Sequence, residues 1–144
     1  MRDSDSDPTA SFVEVCRQIR DAGGFTVPTD PNVRTASVPT ISVTLIPDSA
    51  VPGNLETLLL RAVTNHQHLT PCLETFFNCC AFDAEPISIA SKKKLTIIIA
   101  ARNANNPSCT LTNIWSGEQN RWNPIDGLHP AFQPIVDFLR QYKT

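Results

Sequence analysis

Three aspartates stand at alternate positions near the start of the chain: Asp3, Asp5 and Asp7. Successive side chains of an extended chain point to opposite faces, so these three carboxylates would lie on one face. Carboxylates held together repel one another unless a divalent cation lies between them, and Mg²⁺ is typically bound by one or two carboxylates and water. The alternative is a solvated acidic terminus that favours the following helix through its dipole. The pattern alone leaves both interpretations open.

Residues 3–14 also resemble a calcium-binding EF-hand loop, with oxygen-bearing side chains at most of the ligand positions. The position that requires a glycine for the sharp turn is Pro8, whose ring fixes φ near −65°. The sequence also leaves no room for an incoming helix before Asp3. We therefore exclude the calcium loop.

Length and composition limit the class of protein. The 144 residues are enough for one domain, which can bury roughly 70% of its unfolded surface. Lys and Arg number 12 against 14 Asp and Glu, a net charge of −2, which argues against binding to nucleic acid through bulk charge. With 41% apolar residues the chain is too apolar to be disordered. Its longest apolar run, residues 97–101, is far shorter than the roughly 20 residues that span a membrane.

The acidic, polar start is unlike a secretory signal, which needs a basic start and an apolar stretch. The five cysteines are odd in number and show no C-x-x-C spacing; they are Cys16, Cys72, Cys79, Cys80 and Cys109. This usage fits reduced thiols better than a disulfide framework. We predict a cytoplasmic protein that is not attached to a membrane.

Capping signals and periodicity place the first elements. A helix is predicted after the acids, capped by Asp7 and ended by Gly23-Gly24. Residues 41–46 are β-branched and alternate in polarity, which predicts a strand. Pro47 closes it.

The second half of the sequence favours helices. Helices are predicted from Leu55, from Thr70-Pro71 and from His129-Pro130, with residues 83–89 as a connector. Residues 91–104 read as a buried strand by propensity and as a helix by their lysine start and Ala-Ala-Arg end. One strand alone is not stable. Either a further strand lies in the irregular parts, with the very start of the chain as the first candidate, or part of a sheet is missing.

Several polar residues have ordinary structural interpretations. Asp48 after Pro47 is typical of a turn, and Glu56 early in a helix gains from the helix dipole. Lysines 92–94 are typical of a solvated helix start. Further along, Trp115 and Trp122 flank Arg121 and could stack on bases, although packed tryptophans are the more common case.

Taken together, the motifs resemble domain-of-unknown-function family 3226, a Toprim-like family related to the OLD-type nucleases. Residues 3–8 and 24–28 are similar to its D-A-D-x-D-P and G-[FY]-x-[VL]-P segments. Residues 46–56 resemble M-P-D-N-x-x-P-G-x-L-E, the most specific piece. Residues 91–101 resemble an R-S-K-A helix that ends in L-A, and residues 132–142 resemble F-x-x-[LF]-x-x-F-L-R.

The resemblance implies an α/β, Rossmann-like Toprim domain over residues 1–144, with a short parallel sheet flanked by helices. The first strand and helix of the family, with their general acid–base glutamate, are missing from this sequence, so the domain is expected to be N-terminally truncated. Helix is favoured for residues 91–104. The implied site holds Mg²⁺ or Mn²⁺ on Asp3, Asp5, Asp48 and Glu56, with Glu56 and Lys93 catalytic.

Two functions are consistent with these inferences. The first is divalent-metal-dependent phosphodiester cleavage of nucleic acid, complete only with the missing strand. The second is a non-catalytic remnant or protein-interaction module that keeps the fold, with self-association or a partner chain at the open sheet edge.

Overall fold

The computed structural model describes residues 1–63, 69–82, 85–103, 106–108, 110–111 and 125–142. Over these ranges the chain forms two short β-strands and five α-helices, which confirms a mixed α/β class. In chain order they are β1 (Arg2–Asp3), α1 (Pro8–Ala22), β2 (Leu45–Ile46), α2 (Leu55–Ala62), α3 (Leu69–Cys79), α4 (Ile87–Arg102) and, after a 3-10 turn (Pro130–Phe132), α5 (Gln133–Arg140).

The predicted additional strand lies at the start of the chain. β1 pairs with β2 in parallel, with Arg2 opposite Leu45 and Asp3 opposite Ile46. The main-chain N–H of Arg2 donates to the carbonyl oxygen of Thr44 at 3.1 Å, and that of Ser4 to Ile46 at 2.8 Å. Parallel strands need a long crossover connection, which here contains α1.

The strand predicted over residues 41–46 is shorter than expected, because its first part bonds to the loop before it. The main-chain N–H of Asn32 donates to Val43 O at 2.8 Å, and that of Thr35 donates to Ile41 O at 2.9 Å. Only Leu45–Ile46 forms a ladder with β1. The loop thus satisfies carbonyl groups that a neighbouring strand would otherwise pair.

Helix α1 begins and ends where its capping residues predict. The Asp7 carboxylate accepts a 3.0 Å hydrogen bond from the main-chain N–H of Ala10, and Pro8 is the first helical residue. Gly23 follows the helix with φ of 70°, a conformation that favours glycine.

Residues 91–102 are helical, within α4, as the resemblance favoured. The prediction of a connector over residues 83–89 is wrong at its end, because α4 already begins at Ile87. Pro86 is its N-cap residue, and its carbonyl oxygen accepts from the main-chain N–H groups of Ile89 and Ala90.

The core lies where α2 packs against α4. Its buried members come from α2, α3, α4 and the segment before the 3-10 turn; they are Leu59, Ala62, Val63, Leu73, Leu95, Ile98, Ile99 and Ile125. A polar contact aligns the two helices at their N-terminal ends, where the hydroxyl oxygens of Thr57 and Ser91 lie 2.9 Å apart.

Candidate functional site

The candidate site lies at the carboxyl edge of the two-stranded sheet. Because β1 and β2 are parallel and in register, both strands end at this edge. Asp3 is the last residue of β1, and Asp48 follows β2 by two residues. Ligand sites in parallel α/β sheets form outside the carboxyl ends of strands.

Ser4 fixes the main chain between Asp3 and Asp5. Its side chain is completely buried, and its hydroxyl oxygen lies 2.9 Å from the carbonyl oxygen of Ile46, 2.8 Å from that of Val51 and 3.2 Å from that of Gly53. A serine hydroxyl carries one proton, so these carbonyl groups share a single donor. The start of the chain is therefore held against the loop that leads into α2.

Asp5 joins this loop through its main chain. The N–H of Gly53 donates a 2.6 Å hydrogen bond to the carbonyl oxygen of Asp5. Asp5 has φ of 48°, in the left-handed region that aspartate tolerates better than most residues. Its carboxylate lies 3.6 Å from the Arg2 guanidinium, and both side chains are half exposed, so this ion pair is weak.

Asp3 contributes a carboxylate that is available for a ligand. The residue is half-buried, and within the described residues its side chain makes no hydrogen bond or ion pair.

The carboxylates of Asp3, Asp5 and Asp7 do not form one row along an extended strand. The expectation of three aligned carboxylates is wrong, because β1 ends at Asp3 and the chain leaves the extended conformation at Asp5. The carboxylate of Asp7 instead caps α1. One of the three aspartates at the start of the chain, Asp7, is thus engaged as a helix cap.

Asp48 closes the turn after β2. One carboxylate oxygen accepts from the main-chain N–H of Ala50 at 2.7 Å and of Val51 at 2.9 Å. The other lies 3.6 Å from the guanidinium of Arg61. These contacts match the turn interpretation and leave less of the carboxylate for a metal ion.

Glu56 lies in the first turn of α2, whose N-terminus is stabilised by a capping box between Asn54 and Thr57. Glu56 lines a cavity of about 230 Å³ together with Lys92 and apolar residues of α4. The structure therefore brings this predicted site residue close to a lysine other than Lys93.

The three consecutive lysines have different surroundings. Lys93 forms an ion pair with Glu85, and its ammonium group lies 3.8 Å from the centre of the Phe82 ring. Lys94 donates a 2.8 Å hydrogen bond to the carboxylate of Glu74. The exposed Lys92 has no ion pair in the part of the chain that the structure describes. Of the three, Lys92 is the cation available to an anionic ligand.

This geometry indicates which of the predicted residues could hold a metal ion. In the described ranges, no group of three or more His, Cys, Asp or Glu side chains is placed to bind a metal. The four predicted carboxylates, of Asp3, Asp5, Asp48 and Glu56, are therefore not gathered into one cluster. Asp3 and Asp5 are two positions apart in the chain, and two carboxylates with water are enough for a single Mg²⁺ ion.

Other predicted features lie away from this edge. Cys16 is buried, whereas Cys72, Cys79 and Cys80 are exposed, and all four are free thiols. Among the described residues, no helix is long and apolar enough to cross a membrane. Cys109 and the Trp115-to-Trp122 segment with Arg121 lie outside the described residues.

Fold and site together define a small α/β protein with acidic residues at the carboxyl edge of a parallel strand pair. The model of a protein family of unknown function, DUF3226, matches residues 1–144. The chain therefore belongs to this family, as its motifs indicated. Comparison with curated proteins gives no match, and comparison with solved structures gives none.

Proposed function

We propose that this chain is a Toprim-like domain in which Asp3 and Asp5 hold one Mg²⁺ or Mn²⁺ ion for phosphodiester cleavage. The observation that carries the proposal is the bond between Gly53 and Asp5, which joins the acidic segment to the loop before α2. The N-terminus of a helix carries partial positive charge and favours a phosphate nearby. A cation site and a phosphate site would then adjoin each other.

The residues of this chain divide the work as follows. The carboxylates of Asp3 and Asp5 bind the cation; the first has no described partner, and the second has only a weak one. When bound, the cation supplies charge neutralisation for the phosphate and orients the attacking water. Lys92 supplies a further positive charge beside Glu56. This role stood with Lys93 in the sequence prediction, but Lys93 is already paired with Glu85.

The general acid–base group that the resemblance implies would be a glutamate on a further strand. Alternate peptide groups of a strand face opposite sides, and those of Arg2 and Ser4 face β2. The intervening peptide N–H of Asp3 therefore faces the outer edge of β1, which pairs with no strand in the described part of the chain. We propose that the further strand implied by the resemblance pairs at this edge and comes from another chain.

A nicking assay on supercoiled plasmid with Mn²⁺ tests the activity. Without the glutamate we expect only slow nicking, because a bound cation alone can still activate water. This nicking should be lost in D3N and D5N and unaffected in D30N, which removes an exposed carboxylate of the loop after α1. K92M should weaken nicking more than K93M. Equal loss in both lysine variants would contradict the assignment of Lys92.

A second function is favoured by a specific observation. Asp7, Asp48 and Lys93 are all engaged in structural contacts, as a domain that keeps the fold without the reaction would have them. Such a domain would act as an interaction module through the outer edge of β1. Self-association in size-exclusion chromatography, with no metal-dependent nicking, would favour this function over cleavage.

A further inference from the structure

A second cavity lies between α2, α3 and α4. Its volume is about 280 Å³, just below the roughly 300 Å³ at which pockets for drug-sized ligands begin. Its apolar wall includes Leu60, Leu73 and Ile98. None of the proposed cation or phosphate residues lines it.

Among the described residues, two cations and one carboxylate also line this cavity, from three different helices. Lys94 of α4 and Glu74 of α3 neutralise each other through their 2.8 Å hydrogen bond. Arg61 of α2 is the remaining charge of the lining that the structure describes. The cavity therefore combines an apolar wall with one positive side chain that no described residue of the lining neutralises.

The guanidinium of Arg61 has unused hydrogen-bonding capacity. Arginine carries five N–H donors, which match a carboxylate in a bidentate arrangement. Its contact with Asp48 is 3.6 Å long, beyond the usual range of an N–H···O bond. Within the described residues the guanidinium of Arg61 makes no hydrogen bond, although this side chain is only 39% exposed. A planar anion could therefore accept hydrogen bonds from the unused N–H donors of this guanidinium.

We infer that this cavity binds a small amphipathic carboxylate. The apolar body of the ligand lies among Leu60, Leu73 and Ile98, and its carboxylate accepts two hydrogen bonds from Arg61. The small volume selects a short chain or a single ring. The inference is independent of the proposed phosphodiester chemistry.

Hexanoate is the probe for this site, with binding followed by ligand-observed NMR and by the methyl resonances of the protein. We expect hexanoate to shift the methyl signals of Leu60, Leu73 and Ile98 and to leave that of Leu128, which is 94% exposed, in place. Hexanol and hexylammonium should bind at least about tenfold more weakly, because neither accepts two hydrogen bonds from a guanidinium.

The R61Q variant tests the role of Arg61, and R20Q is its control at another exposed arginine. R61Q should weaken hexanoate binding at least about tenfold and hexanol binding little, whereas R20Q, on α1, should change neither. D3N should leave hexanoate binding intact, so failure of the two proposals can be told apart. The inference is overturned if hexanoate does not bind at about 10 mM, if hexanol binds equally well, or if R61Q binds hexanoate as the wild type does.

Discussion

The main-chain N–H of Gly53 lies 2.6 Å from the carbonyl oxygen of Asp5 and donates to it. This bond connects the acidic start of the chain with the residue before the N-cap of α2, across 48 positions of sequence (53 minus 5). Together with the buried hydroxyl of Ser4, it places the backbone of Asp3 and Asp5 beside a helix N-terminus. The geometry of the candidate site therefore depends on a few main-chain contacts.

Substitution of Gly53 by alanine should destabilise the protein by roughly 1–3 kcal/mol. Gly53 has φ of 143°, and a Cβ atom there would lie 2.7 Å from the hydroxyl oxygen of Thr57, a member of the capping box. G127A is the matched control, because a Cβ atom at Gly127 meets nothing within 4 Å. Urea unfolding measures both variants, and equal effects would contradict the close packing at Gly53.

Substitution of Ser4 by alanine should lower the free energy of unfolding by roughly 1–3 kcal/mol. The hydroxyl is the donor shared by the carbonyl groups of Ile46, Val51 and Gly53. Ile46 still accepts from the main-chain N–H of Ser4, but Val51 and Gly53 lose this donor. S6A removes an exposed hydroxyl two residues away and should be nearly neutral. An S4A variant as stable as S6A in urea would show that Ser4 does not hold this segment.

The limits of what sequence predicts are visible in particular residues. Helix α1 is predicted correctly at both ends, because Asp7 and Gly23 act on the backbone next to them. The pairing of Arg2 with Leu45 joins distant segments, so the sequence indicated a further strand at the start of the chain but not its register with β2. The hydrogen bonds from Asn32 to Val43 and from Thr35 to Ile41 shorten β2, and no local sequence pattern predicts these bonds.

The same reasoning applies to the candidate site. An aspartate at position 48 suits both a turn and a metal site. Its hydrogen bonds from Ala50 and Val51 show that it stabilises the turn. Lys92 and Lys93 are adjacent, so the sequence cannot say which faces Glu56. Tertiary packing distinguishes the two lysines. Lys93 contacts Glu85 and Phe82, whereas Lys92 lines the same cavity as Glu56.

Thiol alkylation should separate Cys16 from the other described cysteines. In a C109S background, we expect three thiols to react under native conditions, those of Cys72, Cys79 and Cys80. Burial raises the pKa of the Cys16 thiol, and Cys16 is only 7% exposed, so it should react only when the protein unfolds. Mass spectrometry of the alkylated protein measures this. Rapid native labelling of Cys16 would contradict its placement in the interior.

The free energy of unfolding should decrease in acid as Glu14 becomes protonated. Hydrogen bonds, first from Arg17 and then from Gln18, lower its pKa from 4.5 to about 2. A carboxylate whose pKa is lowered in the folded state stabilises that state above its unfolded pKa, and this contribution is lost as the pH falls from 4.5 to about 2.

An NMR titration of the Glu14 carboxyl carbon measures the effect. We expect a midpoint far below 4.5 in the wild type and a return toward that value in R17Q. R20Q, on the same helix, is the control and should leave the midpoint unchanged. A wild-type midpoint that R17Q does not move would refute the role of Arg17.

Calorimetric titration of the protein with Mn²⁺ tests the central claim most directly, with D3N, D5N and D7N as matched variants. Asparagine retains the backbone preferences of Asp5 and caps helices as well as aspartate does, so none of the three changes should unfold the chain. We predict one Mn²⁺ site that D3N and D5N each weaken at least about tenfold and that D7N leaves unchanged. No Mn²⁺ binding, or equal weakening by D7N, would contradict a cation site built on Asp3 and Asp5.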